Sequence, residues 1–270
     1  MTVHSASGLS ASPPPPLLET RGLSKSFRGL VALRDHALTV RGGEIVGVIG
    51  PNGSGKSTMF NLVTGFLRPT SGEVRLRGEA ITRAAPARVS RLGIARTFQG
   101  TRLFGGLSVL DNVRAAAQLR FPTSLPEAVL GLGRDRAARK EVEVTARELL
   151  DLVGLRGREG VRASSLPYGD GRRLEIARAL ATRPALLMLD EPAAGLNTGE
   201  TRALAQLIAG VRDRYGVAVV VIEHDMDLVM SLCERVQVLA QGEVIGEGTP
   251  AEVQASERVR NAYLGSDYDL

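Results

Sequence analysis

The feature that most constrains this chain is a glycine-rich loop between a short apolar run and a helix-like segment. Residues 50–58 match the complete phosphate-loop pattern, and the run at 44–49, which is apolar after Glu44, is typical of a short buried strand. Such a loop turns consecutive backbone N–H groups, and the N-terminus of the next helix, toward a phosphate group. The pattern therefore predicts a nucleoside triphosphate site. A glycine-rich turn without a ligand is the alternative.

Nine residues of this loop are predicted to bind the nucleotide: Gly50, Pro51, Asn52, Gly53, Ser54, Gly55, Lys56, Ser57 and Thr58. Lys56 is expected to reach the β- and γ-phosphates. Ser57 is expected to place its hydroxyl on the Mg²⁺ that bridges them.

A pair of acids follows a second apolar run. Residues 186–189 are all apolar and predict a buried parallel strand, which ends in Asp190 and Glu191. Ligands of open α/β sheets bind at the carboxyl ends of the strands. Asp190 is therefore placed to hold Mg²⁺ or its water, and Glu191 to polarise the water that attacks the γ-phosphate. A solvated acidic turn is the alternative, but a charged pair between a buried strand and Pro192 favours a cation site.

A third motif, at residues 166–180, joins a glycine-bearing turn to an arginine-rich amphipathic helix. It resembles the signature motif of ATP-binding cassette (ABC) ATPases, whose generic form is Leu-Ser-Gly-Gly-Gln. The family's other motifs occur in the expected order: Gln99 matches the Q-loop glutamine, residues 194–197 match the D-loop, and His224 matches the switch histidine.

The resemblance implies a role for each of these residues. His224 is expected to contact the γ-phosphate of ATP, and Gln99 to belong to the metal site and connect it to the surface that meets the membrane partner. Phe27 matches the aromatic residue that stacks on adenine. Taken singly, His224 and Gln99 would be ordinary polar residues, and core packing is the alternative for Phe27.

The signature departs from the generic form at Pro167, Tyr168 and Asp170. In the family, two cassettes close head to tail, so Gly169 is expected to serve the ATP of a second cassette, identical or paralogous. Pro167 offers no hydroxyl and no N–H, which leaves Gly169 and the helix start to supply backbone donors. Asp170 is expected to cap a helix that begins near it.

These departures, with residues 62–72, 93–99, 190–197 and 246–265, resemble the ATP-binding subunits of branched-chain (hydrophobic) amino-acid importers. The resemblance covers about residues 18–265. It implies ATP and Mg²⁺ as cofactors, with permease subunits and, indirectly, an external solute-binding protein as partners. Three alternatives remain: urea or amide import, lipopolysaccharide export, and a soluble ABC ATPase that does not transport.

The predicted fold is α/β: a P-loop NTPase core of the ABC ATPase type, with an antiparallel β subdomain and an inserted helical subdomain. The predicted boundaries are a Pro-rich disordered tail at 1–16, core at 17–95, helical subdomain at 96–165, core at 166–250 and a C-terminal extension at 251–270. Val142, Ala146, Leu149, Leu150 and Val153 recur at helical spacing, and the Pro- and Gly-rich stretch 121–134 predicts a loop.

Composition suits a protein held at the cytoplasmic face of a membrane by partners. The single cysteine excludes an internal disulfide, no apolar run reaches membrane-spanning length, and no secretory leader is expected. The net charge of +5 comes from arginines interspersed with acids. It therefore predicts no nucleic-acid partner.

A final apolar cluster follows Gln99. Leu103, Phe104 and Leu107 lie in a glycine-rich region where large apolar side chains are costly to leave exposed. They are expected either to pack the inserted lobe onto the core or to line a groove for a helix of a permease.

Overall fold

The structure, a computed structural model, describes residues 15–100, 102–120 and 133–264. The strands are β1 (Leu18–Phe27), β2 (Leu30–Val40), β3 (Ile45–Ile49), β4 (Ser71–Leu76), β5 (Glu79–Ala80), β6 (Ile94–Arg96), β7 (Leu186–Asp190), β8 (Ala218–Ile222), β9 (Arg235–Ala240) and β10 (Glu243–Gly248). The helices are α1 (Lys56–Val63), α2 (Pro86–Leu92), α3 (Val109–Ala117), α4 (Gly133–Leu152), α5 (Tyr168–Ala181), α6 (Thr198–Tyr215), α7 (Met226–Leu232), α8 (Pro250–Ala255) and α9 (Glu257–Leu264), with short 3₁₀ turns at Gln118–Arg120 and Ala163–Ser165.

The strands form two sheets. The larger has the order β10-β9-β3-β8-β7-β6, and β9, β3, β8, β7 and β6 pair in parallel. β10 returns antiparallel to β9 as a hairpin. The smaller sheet is antiparallel, in the order β2-β1-β4-β5. The predicted α/β class with an antiparallel β subdomain is confirmed.

The larger sheet is buried on both faces, which explains why its strands read as continuous apolar runs. Successive side chains of a strand point to opposite faces. In β7, Leu187 and Leu189 join the core cluster formed with α3, α4, α5 and α6. Leu186 and Met188 join the second cluster, formed with α1 and the smaller sheet. The strand ends between these layers are therefore held firmly.

Helices α3 and α4 lie between β6 and α5 along the chain. The predicted apolar face is confirmed, because its members are buried: Val142, Ala146, Leu149 and Leu150 in α4, and Val153 directly after it. The predicted loop at 121–134 lies outside the described residues up to 132, and α4 begins at Gly133. The predicted tail at 1–16 likewise lies outside them up to residue 14. The subdomain boundaries stay predictions.

The start of α5 differs from the prediction. The helix begins at Tyr168, with Pro167 at the N-cap and no side-chain capping bond, so the predicted capping role of Asp170 is wrong. Asp170 occupies the third helical position, from which an acid normally reaches back to the N-cap N–H. Proline has no N–H to offer. The carboxylate instead pairs with Arg158, and its charge still favours the N-terminal end of the helix dipole.

A buried hydrogen-bond network joins the two sheets. His36 of β2 is fully buried, with Nε2 lying 2.8 Å from Oε1 of Gln237 in β9 and Nδ1 lying 3.2 Å from Oγ1 of Thr20. Gln237 in turn donates to Ala37 O and to Glu247 Oε2, each at 2.9 Å. Burial lowers the pKa of His36 to about 4, because the charged imidazolium would lose its hydration.

We expect His36 to make the fold acid-sensitive. Because the imidazole stays neutral when folded, its contribution to stability is complete above pH 6.5 and is lost progressively as pH falls toward 4. The loss approaches about 3 kcal/mol, at 1.36 kcal/mol per pKa unit. Thermal melts of wild type and His36→Gln between pH 7 and 4.5 measure this, with His224→Gln as the control for an exposed histidine. An equally steep pH dependence in His36→Gln would contradict the expectation.

Candidate functional site

The phosphate loop connects β3 to α1, and two of its glycines are required by geometry. Gly50 has a φ of +149°, and a Cβ there would lie 2.0 Å from Leu239 O. Gly55 has a φ of +106°, and its Cβ would lie 2.7 Å from Ala32 O. Any side chain would clash with backbone at both points. Gly53, at a φ of +77°, has nothing within 4 Å, so this part of the loop is open to a ligand.

Lys56 is the first residue of α1 and its side chain is buried against the loop. Its Nζ donates to Gly50 O at 2.6 Å and to Pro51 O at 2.9 Å. Burial lowers the pKa of Lys56, and the carboxylates of Glu191 and Asp190 oppose that shift. A cation held at this point offers a fixed charge to an entering phosphate.

The parallel sheet brings the three predicted catalytic residues together. Glu191 follows β7, His224 follows β8, and Gln99 lies beyond β6. Oε2 of Glu191 accepts a hydrogen bond from Nε2 of Gln99 at 3.0 Å. Oε1 of Glu191 lies 3.1 Å from Nε2 of His224. The carboxylate is therefore held from both sides.

Glu191 also has an unusual backbone. Its φ is +48°, in the left-handed region that residues with a side chain rarely adopt. Its N–H donates to Ile222 O at 2.9 Å, which extends the pairing of β7 with β8 by one residue. Strain of this kind collects at functional sites.

Sequence reasoning missed Glu223, which organises the loops around this cluster. Its side chain is buried and accepts hydrogen bonds from Ala193 N at 2.8 Å and His224 N at 3.1 Å. Burial raises the pKa of Glu223, and these backbone donors act against the rise. Glu223 thereby ties the loop after β7 to the loop after β8. The available sequence signal was an acid placed between a buried strand and a histidine.

Arg96 was also missed. It ends β6 beside β7, and its guanidinium donates to Oδ2 of Asp190 at 2.8 Å, with both side chains buried. The N–H of Asp190 lies 3.2 Å from Oγ1 of Thr97. Asp190 is thus the anion of a buried ion pair at the end of β7.

The predicted metal residues supply oxygen donors. Ser57 offers an exposed hydroxyl, Asp190 a carboxylate and Gln99 an amide oxygen, and Mg²⁺ prefers such hard oxygen ligands. In the described parts of the chain, no group of three or more His, Cys, Asp and Glu side chains is arranged to hold a metal. This donor set suits Mg²⁺, which takes few protein ligands and keeps its remaining positions for water and phosphate.

Phe27 lies at the tip of the β1–β2 hairpin and is 42% exposed. The structure therefore does not place it in the core, which removes the alternative of core packing. Nζ of Lys25 lies 5.0 Å from the ring centroid. The stacking of Phe27 on adenine stays a prediction.

Gly169 lies in the first turn of α5, apart from this cluster. It lines a cavity of about 160 Å³ together with the N-cap of α5 and residues of α5, the D-loop and α6: Pro167, Asp170, Arg173, Leu196, Glu200 and Leu204. None of the phosphate-loop residues lines this cavity. The structure does not bring Gly169 to the chain's own nucleotide site.

The fold and the motifs match those of known cassettes. A sequence profile described as "ABC transporter" matches residues 33–194, and one described as "Branched-chain amino acid ATP-binding cassette transporter" matches residues 243–269. A crystal structure of the ADP conformation of an ABC-transporter cassette superposes with a TM-score of 0.81 at 29% identity, covering 94% of this chain and all of that one.

Curated relatives cover almost the whole chain. The high-affinity branched-chain amino acid transport ATP-binding protein LivG of Salmonella typhimurium is 43% identical, over 93% of this chain and 98% of its own. BraF of Pseudomonas aeruginosa, described in the same words, is 42% identical over the same shares. The lipopolysaccharide export ATP-binding protein LptB of Escherichia coli is 35% identical, over 94% and 99%. The chain belongs to the ABC transporter family, as an ATP-binding cassette with ATPase activity.

Proposed function

We propose that this cassette hydrolyses MgATP to power the uptake of branched-chain or other hydrophobic amino acids through partner permease subunits. The geometry around Glu191 is the main structural support for the hydrolysis step. Its carboxylate is held between Gln99 and His224 at the end of β7, beside the phosphate loop. A carboxylate oriented in this way can accept a proton from an attacking water.

Each side chain has a definite task in this mechanism. Lys56 and the backbone N–H groups of the loop bind the β- and γ-phosphates. The oxygens of Ser57, Asp190 and Gln99 would hold Mg²⁺, which would neutralise charge on the phosphates. Glu191 exchanges one of its two hydrogen bonds for the attacking water, and His224 then donates from Nε2 to the γ-phosphate. Phe27 offers its exposed ring to adenine.

A second cassette completes the site. The cavity beside Gly169 opens at the N-terminal end of α5, where backbone N–H groups favour an anion. A solved dimeric cassette of a bacterial ABC transporter aligns with a TM-score of 0.74 at 26% identity, over 86% of this chain. We therefore place the γ-phosphate of a partner cassette at Gly169, whether that partner is a second copy or a paralogue.

The nature of the solute follows from the relatives. LivG and BraF are named for branched-chain amino acid transport, and the carboxyl-terminal segment matches a profile named for the same systems. Lipopolysaccharide export is the name of a relative at lower identity, and we rank it, with urea or amide import, below amino-acid uptake. An external solute-binding protein would select the amino acid and deliver it to the permease.

A groove on the cassette is the proposed docking site of the permease. No helix in the described part of the chain is both long and apolar enough to cross a bilayer. A groove of about 350 Å³ lies between the core and the inserted helices, and aromatic and charged side chains line much of it: Phe66, Phe98, Arg96, Arg102, Glu175 and Arg178. We propose that a helix of the permease occupies this groove at the cytoplasmic face.

Phe104 contacts Arg178, one of the residues that line this groove. Its ring is 51% exposed and stacks against Arg178, whose guanidinium carbon lies 4.8 Å from the ring centroid. Leu107 is also exposed, whereas Leu103 packs partly against the core. The two alternatives predicted from the sequence therefore apply to different residues. Leu103 packs the inserted lobe onto the core, whereas Phe104 and Leu107 remain available to a partner.

We expect Glu191→Gln to separate ATP binding from hydrolysis. The amide keeps the shape of the side chain but is a poor base, so turnover falls by about a hundredfold or more while nucleotide affinity is retained. Trapped ATP then holds two cassettes together, and size exclusion with MgATP detects the larger species. Lys56→Ala is the contrasting variant, because it removes the phosphate-binding charge and abolishes binding. Undiminished turnover in Glu191→Gln would exclude Glu191 from the mechanism.

We expect Phe104→Ala to uncouple the cassette from its permease. The variant folds and keeps its basal ATPase rate, because the lost ring is largely exposed, but it loses co-purification with membrane subunits and solute-stimulated turnover. Tyr215→Ala is the matched control, since Tyr215 is also exposed and has Arg214 over its ring. A soluble ABC ATPase would show no permease stimulation in any variant. Normal coupling in Phe104→Ala would contradict the interface.

A further inference from the structure

Arg96 makes a contact with the proposed metal site that the function above does not use. The residue ends β6, and its side chain is only 7% exposed. One guanidinium nitrogen donates to Oδ2 of Asp190 at 2.8 Å. Oδ1 of Asp190 receives no hydrogen bond from the residues that the structure describes. The two oxygens of this carboxylate are therefore in different environments.

The orientation of Arg96 does not depend on Asp190 alone. Another guanidinium nitrogen donates to Oδ1 of Asn61 in α1 at 2.6 Å. The guanidinium carbon lies 5.3 Å from the ring centroid of Phe60 and 5.0 Å from that of Phe98. Two aromatic rings and an amide thus fix the plane of the guanidinium. A planar group fixed in this way can orient the carboxylate that it binds.

Keeping an arginine at this place carries a cost. Its Nε is buried and has no hydrogen-bond partner among the described residues. A buried donor without a partner destabilises the folded state, and a buried ion pair often stabilises a fold no better than apolar packing would. Stability alone is therefore a weak reason for this pair, and its position beside the proposed metal carboxylate suggests another.

We propose that Arg96 is a positioning residue: it engages Oδ2 of Asp190 and thereby presents Oδ1 to the cation that accompanies the nucleotide. The inference rests on the proposed role of Asp190 in the metal site. Hydrogen-bond partners that orient a metal-binding side chain commonly change metal affinity by about 10- to 100-fold. The positive charge of Arg96 acts in the opposite direction, since it repels a cation. Loss of the positioning effect would raise the Mg²⁺ concentration at half-saturation, whereas loss of the positive charge would lower it. A measurement can therefore separate the two effects.

The test is the Mg²⁺ dependence of nucleotide binding by the full-length chain, measured with a fluorescent ATP analogue. Arg96→Met removes both donors but keeps an unbranched apolar side chain between the rings. We expect the Mg²⁺ concentration at half-saturation to rise by about tenfold or more, while affinity for the analogue in EDTA stays within about twofold. Thermal melts accompany each titration to verify folding.

Two further variants keep the test decisive if Arg96→Met does not fold. Arg96→Lys keeps the charge but loses the planar fork, so we expect a rise in the Mg²⁺ midpoint here as well. Asn61→Ala removes the second anchor of Arg96 without touching Asp190, and we expect a smaller rise than in Arg96→Met. The matched control is Arg102→Met. Arg102 stacks on the same ring of Phe98, at 4.4 Å, and has no ion pair with Asp190, so the midpoint should not move.

Asp190→Asn distinguishes the inference from the function on which it rests. A raised Mg²⁺ midpoint in Asp190→Asn together with an unchanged or lowered midpoint in Arg96→Met would overturn the positioning role and leave the metal site standing. An unchanged midpoint in Asp190→Asn would remove Asp190 from the metal site and the proposal for Arg96 with it. Equal rises in Arg96→Met and Arg102→Met would show that the loss of either arginine beside Phe98 disturbs the site, and would overturn a specific positioning role of Arg96.

Discussion

The parallel pairing of β6, β7, β8 and β3 is the constraint on which the rest of the site depends. Parallel strands end at the same edge of a sheet, and here the register sets Asp190 opposite Ile222. The residues that follow these strands must then converge. Glu191 meets His224 and Gln99 across three loops for this reason. Burial of the sheet on both faces, against helices on one side and the smaller sheet on the other, holds these ends in place.

Hydrogen bonds and ion pairs of buried polar groups connect these loops and strands. Glu223 is a carboxylate whose cost of burial is offset by backbone N–H groups from two loops. Arg96 and Asp190 form a pair between two adjacent strands. Removing one member of such a set leaves the other buried and unpaired, which costs far more than the intact set contributes. The site is thus rigid because its polar parts are mutually dependent.

The sequence sufficed for the features that have local signals, such as the phosphate loop, the buried strands and the acids at the end of β7. It failed where a role arises only from distant contacts. Arg96 and Asp190 are 94 residues apart in sequence. Nothing in the sequence near Arg96 indicates its role, which arises only because β6 pairs with β7 in the sheet. Asp170 was expected to cap α5 because the proline at 167 was not recognised as the N-cap. A shift of a few residues in the start of a helix changes which side chain stands at its N-cap.

The unusual signature is connected physically to the segment after Gln99. Tyr168 replaces a glycine of the generic motif, and its hydroxyl accepts a hydrogen bond from Arg172 at 2.8 Å. Arg172 is buried and pairs at 3.1 Å with Glu175, which in turn accepts from the backbone N–H of Arg102 at 2.7 Å. Burial raises the pKa of Glu175, and Arg172 opposes that rise. The start of α5 is therefore connected to the groove, because Glu175 lines the groove and pairs with Arg172, which contacts Tyr168. Tyr168 departs from the generic motif in sequence. In the structure it is the first member of a series of polar contacts that runs through Arg172 and Glu175 to the backbone of Arg102.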